Sequence, residues 1–74
     1  DFLFDKFCRA ISKFEKILSY YPDNSQVLNL SGVAYNQLGN FDKAIWLIEK
    51  AIKYNSNEIG FYINLGNILL LLYS

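Results

Sequence analysis

The chain has 74 residues, with seven basic and seven acidic side chains, no histidine, no methionine, one cysteine and an apolar fraction of 53%. This length holds one domain at most, and so high an apolar content at zero formal charge excludes a disordered tail and offers no basic face for nucleic acid. With Cys8 alone and no imidazole, the chain cannot assemble a structural zinc set, a Ser-His-Asp triad, a Cys-His pair or an internal disulfide. No catalytic residue, metal or cofactor is therefore expected, and the chain reads as a non-enzyme.

Four helices are predicted in chain order. In the first, Phe7, Ala10, Ile11, Phe14, Ile17, Leu18 and Tyr21 recur at three- and four-residue steps, while Lys6, Arg9, Lys13 and Lys16 lie off that stripe. Pro22 cannot continue the helix, and Asp23, Asn24 and Ser25 supply capping side chains for the second. The second helix places Val27, Leu28, Leu30, Ser31, Ala34, Tyr35 and Leu38 on its apolar face. It ends at Gly39-Asn40, where glycine tolerates a positive φ and Asn40 can cap the third helix. The third carries Phe41, Ala44, Ile45, Ile48, Ala51 and Ile52 and runs into the polar Asn55-Ser56-Asn57. Glu58 opens the fourth, which reaches Leu72. Its apolar stretch is broken by Gly60, Asn64, Gly66 and Asn67 and falls short of the roughly twenty residues that a membrane span requires, so a buried helix is expected. Links this short make successive helices antiparallel neighbours.

Sliding the chain against itself exposes an offset of 34 residues. Phe7/Phe41, Ala10/Ala44, Ile11/Ile45, Glu15/Glu49, Lys16/Lys50, Tyr20/Tyr54, Gly32/Gly66 and Leu38/Leu72 are identical across it. About three identities would arise from composition alone. Glycine inside a helix is disfavoured, so Gly32 and Gly66 are expected where a side chain would hold a paired helix away, opposite Ala10, Ala44 and Ala51.

A 34-residue helix-turn-helix period resembles the tetratricopeptide repeat, whose pattern is W-x2-L-G-x2-Y in one helix and A-x3-F followed by P in the next. Leu28, Ser31, Gly32 and Tyr35 match the first motif, and Ala44, Ile48 and Ala51 the second, with Ser56 where proline is usual. Ala10, Phe14, Ile17 and Pro22 belong to an incomplete repeat before it. Tyr62, Leu65, Gly66 and Leu69 belong to one after it. Ser31, Ser56 and Leu69 depart from the family pattern. The resemblance implies an all-α fold of antiparallel helix-turn-helix repeats in a right-handed superhelix. Residues 1–24 would be the second helix of one repeat, 25–58 a complete repeat, and 59–74 the first helix of the next, an excerpt of a longer solenoid with open faces on the first and last helices. Self-association through those faces is expected when neighbours are missing.

The resemblance also implies a concave groove, lined by first helices, that receives a peptide or partner subunit. All fourteen charged residues fall within 1–23 and 42–58, leaving both first helices neutral. By spacing, the groove candidates are Gln26, Asn29, Val33, Asn36 and Gln37, then Gly60, Ile63, Asn67, Leu70 and Leu71. Amides donate and accept, so they can pair with a peptide backbone whatever its sequence, while the aliphatics supply pockets; solvated helix positions would use the same residues. Without lysine or arginine there, a clamp on a terminal carboxylate is not expected. Trp46 lies off the apolar stripe, either as a secondary contact or packed along a neighbouring helix. The resulting expectation is a protein-interaction scaffold in an intracellular, cytoplasmic setting, with no nucleic-acid partner. The alternative is a docking or regulatory portion of a larger enzyme such as a glycosyltransferase or phosphatase.

Overall fold

In the computed structural model, which describes residues 1–74, the chain forms four helices and no strand: α1 (Phe2–Tyr20), α2 (Ser25–Gln37), α3 (Phe41–Tyr54) and α4 (Ile59–Leu72). The capping side chains decide where each begins. Asn24 accepts from the Val27 N–H at 3.1 Å, Asn40 from Lys43 at 3.3 Å, and Glu58 from Gly60 at 3.3 Å, each taking up a donor that the first helical turn leaves free. Gly39 sits at φ +83° and closes α2: its N–H bonds to the Asn36 carbonyl while the Asn40 N–H reaches back to Tyr35, so two end carbonyls are satisfied within one tight turn. One boundary differs from the sequence reading. The α1 apolar stripe becomes legible only at Phe7, but the helix starts at Phe2 because Asp1 caps it, accepting from the Leu3 N–H at 2.9 Å.

α2 is the hub, with α1 and α3 packed against it; α4 lies on α3 and touches α2, whereas α1 and α4 make no contact. The Cα envelope measures 36 × 33 × 16 Å, a slab two helices thick. The core sits between α2, α3 and α4 and consists of Leu28, Ala44, Leu47, Ile48, Ala51, Phe61 and Ile68. α3 supplies four of these, while α1 buries only Ile11. The small residues set the spacing at its centre. A Cβ on Gly32 would lie 2.7 Å from Ile48 Cγ1 and 3.0 Å from the Ala44 carbonyl oxygen, so α2 and α3 are in contact where no other residue fits.

Gly66, expected to play the same part, does not. A Cβ there would meet nothing within 4 Å, because no helix packs on that side of α4. α4 accordingly leaves Ile59, Ile63, Leu70, Leu71 and Tyr73 exposed. No helix of the chain is long and apolar enough to cross a membrane.

Candidate functional site

The two helices without charge, α2 and α4, touch, and a polar contact joins them. The Asn64 Nδ2 donates to Asn29 Oδ1 at 3.1 Å, across 35 residues of sequence. Asn29 is only 7% exposed. The sequence pattern makes it a free amide of the groove; in the structure its oxygen is spent on α4, which satisfies a polar group that burial would otherwise leave costly. Sequence reasoning misses Asn64. The signal for it is present, an asparagine on the apolar fourth helix at the step facing Asn29, but the pair becomes visible only once the crossing of α2 and α4 is known.

The remaining groove candidates divide by position. Val33 and Asn36 follow Asn29 on the same stripe of α2 and are half-buried. The Asn36 Oδ1 is sealed from solvent and has no donor, leaving only the amide nitrogen end to meet a ligand. Gln26 is exposed at the start of α2. Gln37 sits apart from the others, in a cleft with Leu3, Phe4, Phe7 and Leu38, because the early start of α1 carries its first turn alongside the end of α2. On α4, Ile63 is exposed and Gly60 half-buried, and Asn67, Leu70 and Leu71 line one shallow depression with Ser74. The candidates therefore form an open surface of amides and aliphatics along α2 and α4, not a closed cavity, with Gln37 displaced toward α1 and Asn29 removed into the α2–α4 contact.

The opposite side of the slab carries the charges. Between α1 and α3, floored by α2, runs a cleft of about 300 Å³ lined by Glu15, Leu18, Pro22, Tyr35, Trp46 and Lys50 among others. Trp46 is 52% exposed. Lys43 and Lys50, one helical turn to either side, place their ammonium groups 5.1 and 4.6 Å from the indole ring, close enough for attraction to its electron-rich face. Trp46 is thus held at the lip of the cleft by its own helix rather than packed flat along a neighbouring one. Lys43 also lies 5.8 Å from the Tyr35 ring. The Tyr35 hydroxyl titrates above its ordinary value, chiefly because burial disfavours the phenolate and further because Glu15 and Cys8 add negative potential. Cys8 itself is exposed and free.

Comparison with known proteins agrees with this architecture. A family model described as "Tetratricopeptide repeat" matches residues 13–45, from the middle of α1 through α2 into the start of α3. The chain is also 36% identical over 61 residues to "Protein CTR9 homolog" of Arabidopsis thaliana, an alignment covering 82% of this chain and 6% of that protein. The chain thus spans a small fraction of the relative's length.

Proposed function

The chain belongs to the tetratricopeptide-repeat family, whose repeats mediate contacts between proteins, and on that premise we propose that it is a non-catalytic scaffold binding a peptide segment or partner subunit along the neutral surface of α2 and α4. One observation carries this reading: the two helices free of charge touch each other, joined by the Asn64–Asn29 hydrogen bond, while every charged residue lies outside them. The exposed members, Gln26, Ile63, Asn67, Leu70 and Leu71, combine amides able to pair with a peptide backbone and aliphatics able to cover apolar side chains. In this reading residues 25–58 form the complete repeat, 1–24 and 59–74 are half repeats, and the outward faces of α1 and α4 are further contact surfaces. An intracellular setting accords with the free thiol of Cys8, which has no partner for a disulfide in the chain.

Selection of binders from a random peptide display library tests the surface. Peptides recovered on the wild-type chain should lose at least tenfold in affinity for Asn67→Lys or Leu71→Asp and bind Lys53→Glu, a change on α3, as before. Equal binding to all three variants would move the recognition surface off α4.

A further inference from the structure

The cleft between α1 and α3 takes no part in the α2–α4 surface, and its floor departs from the family pattern. Leu28 and Ser31 stand where the first motif has tryptophan and leucine. Both are 1% exposed and both line the cleft, so space that larger side chains would fill is left as an opening of about 300 Å³. The walls differ in charge. Of the charged side chains on α3, Lys43 and Lys50 line the cleft and the carboxylates of Asp42 and Glu49 do not; on the α1 wall Glu15 is the single acid. The two ammonium groups rest over the indole of Trp46 rather than on a carboxylate, so their charge is available at the lip. The cleft belongs to three consecutive helices and does not depend on what adjoins them. Shifted by the 34-residue period, a helix before α1 would meet Ala10 and Phe14, the counterparts of Ala44 and Ile48, and a helix after α4 would meet α3 along Glu49 and Ile52, the counterparts of Glu15 and Leu18. Either would leave Lys43, Trp46 and Lys50 free.

We propose that this cleft is a second peptide-binding site, on the side of the slab away from α4, and that its ligand is an extended acidic segment of another protein. One apolar side chain of the segment enters over Leu18 and Leu47 beside Trp46, and a carboxylate on either side of it meets Lys43 and Lys50. The size of the opening sets the form of the ligand. About 300 Å³ is at the small end of ligand pockets and admits a side chain, not a helix about 10 Å across. Backbone alternation sets the pattern. When one side chain of an extended segment points to the floor, the residues before and after it point to the lip, about 7 Å apart. The lysines stand seven residues apart on α3, about 10 Å along its axis, and their flexible stems close the difference. The fitting sequence is therefore acid, apolar residue, acid. Glu15 on the α1 wall is free to accept from a backbone N–H of the segment and disfavours a further acid on that side.

Nitrogen-15 NMR titration of the 74-residue chain tests this with the end-blocked peptides Ac-GSELESG-NH2 and Ac-GSEFESG-NH2. Saturable shifts are expected at the Trp46 indole N–H and at amides of α1 and α3 bordering the cleft, half-complete at roughly 0.1–1 mM peptide, while α4 amides stay in place. Ac-GSESESG-NH2, which lacks the apolar side chain, and Ac-GSKLKSG-NH2, with its charges reversed, should each bind at least tenfold more weakly. Two variants locate the site. Ser31→Leu restores the residue of the family pattern and fills the floor, so it should lose both acidic peptides at unchanged helicity by circular dichroism. The pair Lys43→Glu and Lys50→Glu should refuse the acidic peptides and accept Ac-GSKLKSG-NH2. If Ser31→Leu loses helicity, the charge exchange, made at side chains on the lip, decides alone. Acidic peptides bound equally by the charge-exchanged chain, or no saturable shift with either peptide, would overturn the proposal. Shifts confined to α2 and α4 would overturn it while supporting the neutral surface as the peptide site. A stronger response to single-stranded oligothymidylate than to the peptides would overturn it in favour of nucleic acid.

Discussion

Gly32 and Gly66 occupy the same step of one sequence period, and their surroundings are opposite. Around Gly32 every neighbour is in place, with Ile48 close enough that even one methyl group would collide. Around Gly66 the same residue type, on the same kind of helix, looks onto open space. The central pair and the outer helices thus share a pattern and differ in completion. In a repeat architecture each helix is shaped for the helices stacked on it, so the same residue type can be fully packed in one place and open in another.

The sharpest way to break this comparison is to put the same side chain at both glycines. Gly32→Leu should cost about 3 kcal/mol or more through overpacking against Ile48, a large share of the stability available to so small a domain, and should lower the midpoint of urea unfolding followed by circular dichroism accordingly. Gly66→Leu should instead raise that midpoint slightly, by up to about 1 kcal/mol, from helix propensity alone. Equal destabilisation at both sites would mean that α4 is covered on its outer side. A smaller effect is expected where the two regions meet. A double-mutant cycle of Asn29→Ala and Asn64→Ala should return a coupling of about 1 kcal/mol, since each single change orphans an amide buried or half-buried at the α2–α4 crossing. Zero coupling would make the crossing a matter of apolar packing only.

The smallest effect concerns Tyr35, on the edge of the cleft where α1 meets the central pair. Its hydroxyl is held above the ordinary tyrosine value in the folded chain, so the unfolded chain gives up that proton first as the solution becomes alkaline. The stabilisation is complete below about pH 10, the unfolded value, and is lost as pH climbs through the folded one. Tyr35→Phe should therefore show a shallower alkaline loss of helicity than wild type, measured against urea at pH 8 and pH 11. Identical slopes would remove Tyr35 from the pH response.

Much of the fold is legible in the sequence because its determinants are local. Pro22, Asn24, Gly39, Asn40 and Glu58 end or start helices through their own backbone and side-chain geometry, and a reader needs no neighbour to see it. The first turn of α1 is not legible, because Phe2, Leu3 and Phe4 form an apolar run without period, and only the Asp1 cap extends the helix over them. The candidate site is legible as a surface but not in detail. That α2 and α4 are neutral is a count along the chain, whereas the burial of Asn29, its bond to Asn64 and the displacement of Gln37 toward α1 depend on how helices far apart in sequence cross. Gly66 misleads for a related reason: its period pairs it with Gly32, but no helix of residues 1–74 packs on it.

Trp46 is the single tryptophan of the chain, half in water and flanked by two ammonium groups on the side away from α4. Its emission is therefore a built-in optical probe of one side of the slab. A ligand entering the cleft between α1 and α3 would displace water from the indole and move the spectrum to shorter wavelength, whereas a peptide laid along α2 and α4 would leave the colour unchanged. Occupancy of the two sides can thus be told apart in one unlabelled sample.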